Sequence, residues 1–197
     1  MTTKDHKILG KYLIRQSGGF EKAIYEKAFV LGSVEPDYNI FTYLKGSIKH
    51  RLFMGHNFNS SLNYLKKAAS RLKRKDKANW NVFDYYKLGK IVHYIADDFT
   101  HPHNENFVGD LFEHCVYEFE LHRYLVDYIK QNEIPNYKRL SSDSLTKILE
   151  KSHDEYLLSF PSPVEDCKWI TEMTWQALNW FFCTNTVSEF SMLFAAA

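Results

Sequence analysis

The 197-residue sequence predicts an all-α fold on three observations: apolar residues recur at helical rather than alternating spacing, only 8 Gly and 5 Pro punctuate the chain, and no segment repeats at a fixed period. With 45% apolar residues and 16% aromatics there is material for a sizeable core, so one compact multi-helix domain over residues 1–197 is expected. Seven helices follow in order. Ile8, Leu9, Tyr12 and Leu13 mark the first, and Phe20, Ile24, Ala28 and Leu31 a second that should stop near GSVEPD. NSSLNYLKKAASRL is the third, with Leu62, Leu65, Ala69 and Leu72 as its stripe. Leu88, Val92, Ile95 and Phe99 form the core face of the fourth, which Pro102 should end. The fifth runs from about Val108 through Phe119, Leu121 and Leu125 to the break at NEIPN. SSDSLTKILEKSHDEYLLSF opens with serine and aspartate capping signals and reads as the sixth. Val164, Trp169, Met173, Ala177, Trp180 and Phe181 outline a long aromatic seventh.

Charge and cysteine usage narrow the function classes. Basic and acidic residues number 25 and 24, so no overall polycation argues for duplex nucleic acid or an anionic membrane. The local exception is KKAASRLKRKDK, residues 66–77, with seven cations against one aspartate. It could meet phosphates of lipid or nucleic acid, but a solvated helix end whose cations complement the helix dipole is the more economical reading. Cys115, Cys167 and Cys183 form no C-x-x-C unit, which excludes a disulfide framework and a thiolate zinc knuckle. The opening MTTKDHKILGKYLIRQ is too charged for a signal peptide and no apolar run could span a bilayer, so a cytoplasmic location without a transmembrane segment is expected.

The chemistry concentrates in HYIADDFTHPHN, residues 93–104, which holds three histidines and two aspartates. His93 and Asp97 are one helical turn apart and share a face, at the edge of the stripe that faces the core. Alone, such a pair reads equally well as an aspartate orienting a structural histidine. But His114 and Glu118 repeat the geometry on the next helix, His122 continues that face, and His103 lies on the connection. Together they offer imidazole and carboxylate ligands of the kind zinc accepts without thiolate. Cys115 points about 100° away from His114 and is expected in the core. His101 and Asp98 fall off the ligand spacing. His122 is expected to orient Glu118 or close the cleft, and His153 to be exposed.

These motifs resemble the zinc-dependent phospholipases C of bacteria, whose all-helical fold is shared with the fungal zinc nucleases. That family places an aspartate four residues after a histidine, a second histidine six beyond, and then H-x-x-x-E; here these are His93, Asp97, His103 and HCVYE, His114 to Glu118. GSVEPDYN is similar to its aspartate-tyrosine element, which implies metal-binding Asp37 with Tyr38 beside it, and DHKILGKYLI to its amino-terminal histidine, His6. A further histidine is either His50 or His56; Phe53 stands three residues before His56, as in the family, and His56 is preferred. The motifs run from His6 to about Glu118, beyond which the likeness is only in being helical.

Position by position, the resemblance implies two or three zinc ions. Asp37, His56, His93 and Asp97 would hold one, and His103, His114 and Glu118 a second. Asp97 would bridge to a third bound by His6. In the family the third ion also takes the amino group and carbonyl of the mature first residue; here Met1 stands five residues before His6, and that site is left empty, water-completed or built differently. The implied reaction is attack of a zinc-bound hydroxide on a phosphodiester, with Asp37 a ligand or the base that deprotonates water. Tyr38 and Phe53 stand where aromatics would receive a choline ammonium, and Asp5 is a loose candidate for an acidic headgroup residue. The implied partner is a phospholipid or other phosphodiester, with peripheral membrane contact. A single-strand nuclease-like phosphodiesterase and a non-catalytic helical zinc-binding protein are the alternatives, nucleic acid being the less favoured substrate.

Overall fold

The computed structural model of the protein describes residues 1–38, 58–131 and 144–182. Among them are seven α-helices and no strand: α1 (Thr3–Gln16), α2 (Ala23–Tyr38), α3 (Phe58–Lys73), α4 (Val82–Asp98), α5 (Leu111–Gln131), α6 (Leu145–Leu157) and α7 (Pro163–Phe182). The all-α expectation holds. Ser144 caps α6, its hydroxyl accepting from the Lys147 N–H, whereas NEIPN, Ser141, Ser142, Asp143, His50, Phe53, His56 and Cys183 lie outside the described residues.

Helix α4 is the hub, packed against α2, α3 and α7. Asn81 and Asp84 start it with a reciprocal capping box, the Asn81 side chain accepting from the Phe83 N–H and Asp84 from the Asn81 N–H. Leu88, Ile91, Val92, Ile95 and Phe99 are fully buried, each contributing on the order of 1.5–3 kcal/mol of apolar transfer. Because helices surround α4, His93 and Asp97 are buried as well, 1% and 3% exposed, and not at the edge of a buried face. No helix of the described residues is long and apolar enough to cross a membrane.

The closest contact in this framework joins α2 to α4 through two glycines. A Cβ at Gly32 would stand 2.0 Å from the Tyr86 carbonyl oxygen, and one at Gly89 2.1 Å from that of Phe29. Only hydrogen at these positions lets the backbones meet. The predicted face of α2 is therefore half right: Phe20 packs on the core and Ala28 is buried, but Ile24 and Leu31 are 50% and 58% exposed, while Phe29, Gly32 and Ser33 are buried. Helix α2 does stop near GSVEPD, one residue past it. It runs through Pro36 to Tyr38, since a proline near a helix end forfeits little when tertiary packing holds the turn.

Helix α5 packs through Leu121, Leu125 and Ile129, while its first half turns Leu111, Phe112, Val116 and Phe119 outward. Two further expectations are corrected. Cys115 lies on that outward face and is exposed. His153 is buried, its ring stacked 3.6 Å from that of Phe58. The 66–77 basic run behaves as a tethered helix end: Lys66 pairs with Glu150 at 3.0 Å, Lys75 with Asp84, Lys73 donates to the Trp180 carbonyl, and Lys77 lies over the Phe182 ring.

Candidate metal centre

Helices α1, α2, α4 and α5, with the 3-10 turn His101–His103, bring together seven of the eight residues with implied metal roles. His6, Asp37 and His93 have ligand atoms within 4.8 Å of one another, and His103, His114 and Glu118 form a second such group. Asp97 stands between them. Its Oδ1 is 3.1 Å from His6 Nε2, and its Oδ2 is 3.2 Å from His93 Nε2 and 3.9 Å from His103 Nδ1. His6 thus joins the group of Asp37 and His93 instead of standing apart, its ring stacked on that of His93 with centroids 3.9 Å apart.

The amino nitrogen of Met1 fills the space between the groups. It lies 3.1 Å from Asp97 Oδ1, 3.0 Å from Glu118 Oε1 and 3.0 Å from His103 Nε2. Burial alone would lower its pKa, but the Asp97 and Glu118 carboxylates outweigh burial and raise it to about 11. A capping box fixes this start of the chain: Asp5 Oδ2 accepts from the Thr2 N–H and hydroxyl, and the Asp5 N–H points back to the Thr2 hydroxyl. Asp5 is fully buried and also contacts His122 Nδ1 at 2.5 Å. It is therefore committed to the helix start and closed to a headgroup, and His122 engages Asp5 instead of orienting Glu118.

Local structure sets each ligand. His93 Nδ1 lies 3.0 Å from the Ser33 carbonyl, which can only accept, so Nδ1 carries a proton and Nε2 faces the centre, 3.2 Å from Asp97 Oδ2. His103 sits on a 3-10 turn, His101–His103, pinned at both ends. The His101 N–H donates to Asp166 Oδ2 at 2.8 Å, and the Asn104 amide donates to the Asp98 and Thr100 carbonyls. Asp166 is completed by the hydroxyls of Tyr117 and Tyr156, and Asn104 Oδ1 by His153 Nε2 at 2.7 Å. The carboxylate beside Asp97 has a different fate: both oxygens of Asp98 accept from the Ser61 hydroxyl, and burial pushes its pKa well up.

Protonation at His6, His103, Asp97 and Glu118 favours a cation, whereas at His93 burial is outweighed by the Asp97 and Asp37 carboxylates, which raise the pKa. Burial, reinforced by the neighbouring His93, lowers the His6 pKa, and burial with the Met1 ammonium lowers that of His103. Burial opposes ionisation of Asp97 and Glu118, yet the Met1 ammonium and surrounding imidazoles hold both well below the usual carboxylate range. Neutral imidazole and ionised carboxylate are the forms a divalent metal binds. Among the described residues, the buried side-chain polar atoms without a hydrogen-bond partner are His6 Nδ1 and Nε2, Asp37 Oδ2 and His103 Nδ1, all in this cluster. Buried polar atoms left unpaired are costly, and their concentration here fits a site built to hold metal.

Sequence spacing missed what supports the ligands. Thr2 and Asp5 carry a legible capping pattern, T-x-x-D, but the Ser33 carbonyl, Asp166, Ser61 and the Asn104–His153 pair act across long sequence separations that leave no local signal.

The model of the family described as zinc dependent phospholipase C matches residues 5–162, well past Glu118 and through α6. No curated protein and no solved structure matches the chain significantly. With the match running through every clustered side chain from His6 to Glu118, the chain belongs to the zinc-dependent phospholipase C family.

Proposed function

We propose that the protein is a zinc-dependent phosphodiester hydrolase of the phospholipase C type, releasing a phosphorylated headgroup and leaving a diacylglycerol. The observation that supports this best is the shared Asp97 carboxylate, in reach of His6 and His93 on one side and His103 on the other. A carboxylate shared in this way suits neighbouring cations, and neighbouring cations suit a phosphodiester. His6, Asp37, His93 and Asp97 would hold one zinc, and His103, His114 and Glu118 another; His56 remains a proposed ligand outside the described residues.

Zinc bound by these residues would supply Lewis acidity, lowering the pKa of water to about 7 and offsetting phosphoryl charge. The chain supplies the rest. Asp37 Oδ2 is a buried carboxylate oxygen without a hydrogen-bond partner, and we assign it the proton of the attacking water. As the oxygen of that water bonds to phosphorus, the bond to the glycerol oxygen breaks and that oxygen takes up a proton. His93, held by the Ser33 carbonyl, keeps its Nε2 aimed at the centre throughout. Tyr38, 70% exposed and next in sequence to Asp37, would present its ring to a quaternary ammonium headgroup, and Phe53 remains a proposed headgroup residue outside the described residues.

The test is release of phosphorylated headgroup from short-chain phosphatidylcholine by zinc-loaded protein. Asp37→Asn should cut turnover by about 10²–10⁴-fold while zinc content falls by no more than one equivalent. Absence of cleavage on the lipid and on a chromogenic phosphodiester would sink the proposal, and cleavage of single-stranded DNA alone would transfer it to the nuclease reading.

A further inference from the structure

Helices α1 and α2 lie antiparallel, His6 opposite Ser33 and Gly10 opposite Phe29, and between their outer faces runs an open groove of about 980 Å³. Its floor is aliphatic: Ile14 from α1, and Val30, Leu31 and Val34 from α2. Its rim is cationic. Lys4, Lys7, Lys11 and Arg15 follow one another along α1 at spacings of three or four residues, a row of roughly 16 Å by helical rise, and Lys27 faces them from α2.

In residues 66–77 four of the seven cations, Lys66, Lys73, Lys75 and Lys77, are tied to an acid, a carbonyl or a ring. Lys4, Lys7, Lys11 and Lys27 have no acidic partner among the described residues. Glu26, the acid lining the groove, accepts from the Phe20 N–H at 3.0 Å and is already engaged. With five cations against the one Glu26 carboxylate, the groove is an apolar trough with an excess of positive charge on one lip. One end is lined by Thr3, Lys4 and Tyr38, chain neighbours of the Met1 and Asp37 that reach the metal centre.

We propose that this α1–α2 face is a docking surface for a bilayer containing anionic phospholipid. Two features choose the occupant. The spacing of the α1 cations presents them together toward one plane, which suits a sheet of lipid phosphates; each cation near such a surface typically strengthens attraction about fivefold. The floor between them offers aliphatic side chains that accept acyl chains, whereas a single-stranded nucleic acid would need stacked aromatics and finds only Tyr38. The inference does not require that the chain cleave lipid, since docking and hydrolysis use different residues.

Sedimentation of the zinc-loaded protein with vesicles tests it. Vesicles of phosphatidylcholine with 30% phosphatidylglycerol are compared with phosphatidylcholine alone, at low and high salt. Phosphorus released to the supernatant is read in parallel, so that a failure of docking and a failure of hydrolysis are separate results. Wild type should bind the anionic vesicles at least tenfold more tightly, and salt should remove the difference. Lys11→Gln with Arg15→Gln, both exposed and remote from the cluster, should weaken that binding roughly 10- to 30-fold with circular dichroism and zinc content unchanged. Leu31→Ser should weaken it severalfold without changing its salt dependence. Equal binding to both vesicle types overturns the proposal. So does wild-type binding by the double variant, loss of binding on Lys66→Gln with Lys67→Gln instead, or displacement from vesicles by a single-stranded oligonucleotide at equal charge concentration.

Discussion

His6, Asp37 and His93 are carried by three helices packed on one another, whereas His103 sits on a single 3-10 turn and His114 and Glu118 on the half-exposed start of α5. The first group is fixed by backbone proximity: Gly32 and Gly89 bring α2 and α4 into contact, and the Ser33 carbonyl orients His93. The second is fixed by side chains outside the cluster, Asp166 and the Asn104–His153 pair, which pin the turn from α7 and α6. One half of the centre is as rigid as the core. The other depends on groups that titrate.

The strongest way to break this comparison is to remove what the halves share. Asp97→Asn should reduce zinc content at both groups and lower phosphodiesterase turnover by about 10²-fold or more, read by elemental analysis and headgroup release. Gly89→Ala should strike the first half alone. Its Cβ would meet the Phe29 carbonyl, and forcing α2 away should cost about 3–5 kcal/mol, seen as a drop in the urea midpoint, with zinc lost preferentially from the His6 group.

The second half should answer to pH instead. Burial pulls the His153 pKa down to about 4, so in the folded protein it stays neutral where the unfolded chain, near 6.5, takes up a proton. Its contribution is present above about 6.5 and falls away as pH drops toward 4, by on the order of 3 kcal/mol. Burial pushes Asp166 up to about 6, against the hydrogen bonds from the His101 N–H and the two tyrosines, so its contribution runs the other way. It is present below about 3.8 and declines by a similar amount as pH rises to 6. His153→Gln should flatten the acid limb of a stability-against-pH curve, and Asp166→Asn the opposing slope. If both curves superimpose on wild type, the turn is not anchored by these groups. A smaller effect is expected from His122→Ala, about 1 kcal/mol in thermal unfolding, because Asp5 keeps its contacts to Thr2.

The same contrast explains what could be read from the chain. Helix number and class follow from apolar periodicity, and the pairs His93/Asp97 and His114/Glu118 follow from one helical turn of spacing. Both are local signals. The buried face of α2 was only partly legible: Ala28 lies on it as expected, but it continues through Phe29, Gly32 and Ser33 while Ile24 and Leu31 face outward, because the close approach to α4 favours small residues there. Cys115 was expected inside because helical position alone does not say that the first half of α5 stands clear of the core. His153 looked like a surface residue until Phe58 and Asn104 closed over it, and His122 finds Asp5 across 117 positions of sequence.

The bond from His93 to the carbonyl of Ser33 has an evolutionary consequence. A side chain that orients a metal ligand is a mutational target; a peptide carbonyl is not, for every amino acid brings one. Drift at position 33 can change the hydroxyl, which bonds the Val30 carbonyl, without touching the acceptor that sets the imidazole tautomer. The placement of this acceptor rests instead on the glycines at 32 and 89, so the orientation of the imidazole in this half of the molecule is set by how near two helices come, through residues that carry no chemistry of their own.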